Sequence, residues 1–328
     1  MSLLFLERKT IRLVFPFTRH TTQLTTTTRS FAENRIIYNN FGFPILTHEY
    51  HYSISHTPTL VPDDLCGSRG VWIKASYINH SCYPMVRRSF IGDMMIFRAQ
   101  QDVPADTELK FGYISGLEEL DERQSKLKDY GFDCDCQICT SEKNTSGKKM
   151  KRRMAICEEI VDIFEKGAST SLQTYTNLLD RMEATYVNPP TVEYRRAMIT
   201  PLTNIITGCL TSGLPLQVIE LVHRLLFALG FETEVTKHSF RVLRWGFLID
   251  EIVISLVDLC DAYADVEPRL LADAEGVAKK CYLIMCGEDV TWEEAYGRDK
   301  KRGGTRSGME MIERTEDLVE GVGGLKFV

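Results

Sequence analysis

Three thiols fall within six residues in the run Cys134-Asp135-Cys136-Gln137-Ile138-Cys139. A C-x-C-x-x-C spacing lets one short loop wrap a tetrahedral ion with three thiolates. A closed structural zinc site takes four protein ligands, so this loop needs one partner from elsewhere in the chain. The segment Ser76-Tyr77-Ile78-Asn79-His80-Ser81-Cys82 offers two candidates, Cys82 and His80. The alternative is that these cysteines are unrelated small core residues. Ten cysteines without a convincing secretory leader fit a reducing compartment, where clustered thiols serve as metal ligands more often than as disulfides.

Three motifs precede this loop in order. They are Asn79-His80-Ser81-Cys82-Tyr83-Pro84, then Asp106-Thr107-Glu108-Leu109-Lys110-Phe111-Gly112-Tyr113, then Tyr130-Gly131-Phe132 running into Cys134. Together they resemble the second half of a SET domain with its post-SET zinc loop. Their order and spacing are most similar to the SET-MYND type and to related fungal SET proteins with helical repeats. The resemblance covers residues 31–142. It implies transfer of a methyl group from S-adenosylmethionine to a protein lysine.

The resemblance also implies roles. Tyr113 falls at the family's catalytic tyrosine, whose hydroxyl orients the amine and the methyl group at the end of an apolar channel. Asn79 and His80 match a cofactor-binding pair on the segment that threads a pseudoknot. Phe132 matches an aromatic packed on the adenine, where a planar ring has a physical reason to sit. Asn39, in an N-x-F pattern, matches a further cofactor contact, and a turn asparagine is an equal reading. Cys82 becomes the expected fourth zinc ligand beside Cys134, Cys136 and Cys139, with a Cys3His site through His80 as the competing assignment. Two departures stand out: Met85 follows Pro84 where the family often has asparagine, and no R-G-x-G-type cofactor turn stands before Phe31. The front of the domain is therefore expected to be missing or unrecognisable. The zinc-binding MYND insertion is absent, since no second cysteine–histidine array exists, and Cys281 and Cys286 read as core residues.

Composition adds bounds. The chain has 328 residues, enough for about two domains, and a net charge of -6. That charge argues against broad nucleic-acid binding and is compatible with basic protein substrates. No apolar run reaches the length needed to span a bilayer, so no membrane role is expected. Residues 1–30, with one acid, several arginines and a threonine run, resemble a mitochondrial transit peptide in composition. We expect them to be a disordered leader, and the protein to reside in the cytoplasm or nucleus.

The predicted fold class is α+β: a β-rich SET domain with a pseudoknot and zinc-bound post-SET loop, followed by an all-α TPR-like domain. From Ile36 to Phe111 short strands and turns are expected, with a strand at 36–38 turning at 39–44 and a hairpin at 90–97. A short helix over 117–129 delivers the cysteine loop. Residues 143–149, rich in Ser, Gly and Lys, read as a linker. Helices are expected over 150–166, 172–186, 192–212, 215–229, 240–264 and 268–286, with Pro215 and Pro268 in first turns and Gly213 and Gly230 as stops. This helical domain spans 150–302 and offers a surface for a protein partner. Residues 303–328 form a Gly-rich tail, whose glycines lack the strand–loop–helix context of a nucleotide site. A catalytically inactive SET scaffold is the alternative function, favoured by the missing front and opposed by Asn79, His80, Tyr113 and Phe132.

Overall fold

The computed structural model describes residues 12–15, 40–43, 68–91, 94–165 and 171–297. Asn39, the rest of the expected leader and the expected tail lie outside them.

Apolar, β-branched and aromatic residues on either side of residues 92–93 build the central hairpin. Strand β5 (Val86–Ile91) pairs antiparallel with β6 (Met94–Ala99), with Ile91 opposite Met94. Strand β1 (Arg12–Phe15) adds to the other edge of β6, with Arg12 opposite Arg98, giving the order β1-β6-β5. This corrects the expected leader: four of its residues are a strand of the sheet. A second pair joins β2 (Asn40–Phe43) to β3 (Ser68–Val71), so a strand occupies positions where a turn was expected.

The third pairing positions the site. After a 3-10 turn at Ala75–Tyr77, β4 (Asn79–His80) runs parallel to β7 (Lys110–Phe111). Ser81 N–H then donates to Phe111 O at 3.1 Å and Met85 N–H to Lys110 O at 3.0 Å, so the 79–85 segment grips β7 at two points. Trp72, Val86, Phe90, Met95, Phe97 and Phe111 close a core beneath, with Tyr113 packed at its margin. Helix α1 (Leu120–Lys128) follows, then the cysteine loop and helix α2 (Gln137–Asn144).

The chain divides into two units. The first takes the described residues up to Cys139 together with Leu248–Val253 and Lys279–Tyr296. Its late segments brace the hairpin: Arg87 donates to Leu248 O and pairs with Asp250, and Arg98 donates to Gly287 O at 2.6 Å.

The second unit takes Thr140–Phe247 and Ile254–Ala278. It is mostly helical, through α3 (Gly147–Glu165), α4 (Leu172–Glu183), α5 (Arg196–Thr211) and α6 (Pro215–Ala228), and it holds parts of α7 (Ile252–Val266) and α8 (Leu271–Cys286). A last short helix, α9 (Trp292–Tyr296), belongs to the first unit. Pro215 opens α6, and Gly213 and Gly230 take positive φ as helix stops. Two expectations need correction. The 143–149 linker is largely helical, since only Thr145 and Ser146 separate α2 from α3. The domain is not all-α: β8 (Glu232–Val235) pairs antiparallel with β9 (Phe240–Arg244) where a helix was expected from 240. β-Branched and aromatic residues at Thr233, Val235, Phe240 and Val242 favour that hairpin.

Candidate active site and metal centre

Parallel pairing of β4 with β7 brings two of the three sequence motifs side by side. His80 is buried, and its Nδ1 accepts the Tyr113 backbone N–H at 3.0 Å. That bond puts the ring proton on Nε2, which lies 3.2 Å from Cys82 Sγ. One imidazole thereby ties the tyrosine's backbone to the first cysteine. Both its nitrogens face inward, so they are occupied by protein partners.

Tyr113 is half-buried against His80, Phe111 and Tyr130, with ring centroids 5.1 to 5.3 Å away. Its hydroxyl donates to Ile78 O at 2.9 Å. Burial raises its pKa above the ordinary phenol value, with the neighbouring Tyr130 adding to the effect. At neutral pH the group is therefore an un-ionised hydroxyl, fixed in direction and with lone pairs to spare. Phe132 stands edge-on to Tyr113 at 6.3 Å and keeps 37% of its surface exposed. Asn79 is exposed and donates to Glu108 Oε1 at 2.6 Å, while Glu108 also pairs with Lys110. His80, Tyr113 and Phe132 thus lie in one aromatic cluster, while the exposed Asn79 side chain is turned to Glu108. Asn39 lies outside the described residues.

The four cysteines converge. The sulfurs of Cys82, Cys134, Cys136 and Cys139 all lie within 4.8 Å of one another, packed against Leu127, Leu120 and Ile114. Cys136 immediately precedes α2 and Cys139 sits in its first turn, where the helix N-terminus favours thiolate. Their acidities split. The other three cysteine side chains and burial push Cys82 up, and Cys134 and Cys136 push Cys139 up. Cys134 is held well below the ordinary thiol range by Cys136, Cys139 and Cys82. Left to themselves, crowded sulfurs must share protons. A divalent cation at the centre would let all four ionise, so this donor set and spacing fit tetrahedral zinc.

Helix α1 presents two residues to this loop that sequence reasoning missed. Gln124 brackets Cys134, donating from Nε2 to its carbonyl at 3.0 Å and accepting its N–H on Oε1 at 3.0 Å. The neighbouring Arg123, fully buried, reaches Cys139 Sγ at 3.6 Å. A charged helix surface gives no sign in sequence of which of its residues will turn inward. Gln124→Ala removes both bonds to the Cys134 backbone and should lower stability by about 1–3 kcal/mol. Denaturant unfolding of the zinc-loaded protein checks this.

Residues 11–114 match the SET domain family. The match covers less than half of the chain. It begins inside the stretch expected to be a leader, and β1 lies within the matched residues. The cysteine loop follows the matched region. A Gibberella zeae protein named "Methyltransferase" is 29% identical over 268 residues, covering 78% of this chain and 37% of that protein. The N-lysine methyltransferase SMYD2-A of Danio rerio is 34% identical over 88 residues, 26% of this chain and 20% of its own length. The human histone-lysine N-methyltransferase SMYD3 is 35% identical over 74 residues, 22% of this chain and 17% of its own length. The chain therefore spans little more than a third of the first relative and a fifth or less of the other two.

Proposed function

We propose that this protein transfers a methyl group from S-adenosylmethionine to the side-chain amine of a lysine in another protein. The observation that carries the reading is Tyr113: an un-ionised hydroxyl, fixed on Ile78 O beside Asn79 and Phe132, in a chain whose residues 11–114 match the SET domain. Its relatives named as lysine methyltransferases support the choice of amine acceptor.

When bound, S-adenosylmethionine supplies an electrophilic methyl on a sulfonium sulfur. The chain's residues have to align and exclude. Tyr113 directs its oxygen lone pairs at the reaction centre and its proton at Ile78, which holds the amine in line. The surrounding rings of His80, Tyr130 and Phe132 keep water away and favour the uncharged amine. Phe132, exposed on one face, offers a flat surface for a purine, and the Asn79 amide offers a donor and an acceptor for polar groups. His80 acts through its backbone and by fixing Tyr113 in place. We read the 79–85 grip on β7 as the family's knot, and the helical unit as a TPR-like module for a protein partner. Zinc, bound by Cys82, Cys134, Cys136 and Cys139, would act as a structural crosslink. Thiols clustered as metal ligands suit a reducing compartment, cytoplasm or nucleus.

Calorimetric titration with S-adenosylmethionine tests the reading before any substrate is known. Saturable binding at one site, weakened by Asn79→Ala, is expected. Absence of binding to a folded, zinc-loaded chain would point to a scaffold and against an enzyme.

A further inference from the structure

We infer that Arg123 is the charge-balancing residue of the four-thiol metal centre. This rests on the reading of that centre as a zinc site. Zinc held by four thiolates carries a net charge of -2, and this cluster sits in an apolar setting of Leu120, Leu127 and Ile114. Uncompensated charge in such a medium is costly. Arg123 has no exposed surface, and its guanidinium reaches Cys139 Sγ at 3.6 Å through Nη2 while Nη1 donates to Glu118 O. The Glu118 carbonyl just ahead of α1 fixes the plane of the guanidinium, so a single cation is aimed at the sulfur with little freedom to withdraw.

The consequence is specific. A cation against Cys139 draws electron density from that thiolate, lowers the field the zinc complex must sustain, and slows the first sulfur from leaving the metal. Outer residues that hold metal ligands typically change affinity by about 10–100-fold when replaced. Because the effect is electrostatic, it should follow charge and not side-chain volume. A merely structural arginine would show the opposite order, since lysine lacks the planar fork.

The test compares Arg123→Gln with Arg123→Lys in the full-length, zinc-loaded chain, following zinc transfer to a chromogenic chelator. The glutamine variant should release zinc about 10–100-fold faster, with lysine staying near wild type. In cobalt-loaded protein, the sulfur-to-cobalt charge-transfer band of the glutamine variant should move to lower energy, because its unscreened thiolates are easier to oxidise. Equal release from the two variants, or no change in either, would overturn the assignment. If the glutamine variant does not fold, lysine decides alone: wild-type release supports the inference, and release 10–100-fold faster ends it. Elemental analysis separates the two readings. Wild-type protein without zinc ends both, whereas zinc with charge-insensitive release ends only this one.

Discussion

Cys136→Ser should strip the metal from the protein and unfold the first unit around it. The four sulfurs lie within 4.8 Å of one another and three sit in one loop, so removing one ligand leaves an open, three-thiolate site. Structural zinc contributes on the order of 10–16 kcal/mol of apparent binding free energy at neutral pH. Losing a large part of that exceeds the usual stability of a domain of this size. Gln124 on the Cys134 backbone, Arg123 on Cys139 and the short α2 hold residues 134–139 alongside the metal. The change should reach His80, whose Nε2 meets Cys82, and through it the Tyr113 backbone. Elemental analysis should therefore show loss of zinc, and thermal unfolding should show an early transition. The helices of the second unit should persist, visible as retained helical circular dichroism. A serine variant with normal zinc content and unchanged melting would refute the structural role of the centre.

Tyr113→Phe should abolish most turnover while sparing the fold. Phenylalanine keeps the ring and its packing on His80, Phe111 and Tyr130 and removes only the hydroxyl and its bond to Ile78 O. A preorganised group that stabilises mainly the transition state typically accounts for about 10²–10³ in kcat when removed. Cofactor affinity should change little, because the lost interaction belongs to the transition state more than to the ground state. Zinc content should be normal. Steady-state kinetics alongside calorimetry would separate the two effects. Equal losses in kcat and in cofactor affinity would assign Tyr113 to binding instead.

The site was legible where short contiguous motifs carry it. Asn79-His80 and Phe111-Gly112-Tyr113 are neighbours in the fold because β4 and β7 pair in parallel, and the C-x-C-x-x-C loop announces three sulfurs through spacing alone. Illegible were the features set by tertiary placement. Arg123 and Gln124 sit in a charged helix whose sequence does not mark its inner face. β1 was hidden because threonines and arginines around it suggested a leader, although Leu13-Val14-Phe15 is an apolar strand-forming run. The β8–β9 hairpin was missed because apolar residues at Val242 and Leu243 read as the start of the helix that forms only from Ile252. The 143–149 stretch read as a linker from its Ser, Gly and Lys content. Lysines are good helix formers, and the break shrinks to two residues.

Transfer of an isotopically labelled methyl group from S-adenosylmethionine would show lysine methylation directly. The purified full chain would be incubated with a lysine-rich protein mixture, and the labelled residue identified by mass spectrometry. Label on lysine side chains with wild type, and close to none with Tyr113→Phe, is the expected result. Folded, zinc-loaded wild-type protein that binds S-adenosylmethionine and yet labels no lysine, or a Tyr113→Phe protein that labels as well as wild type, would contradict it.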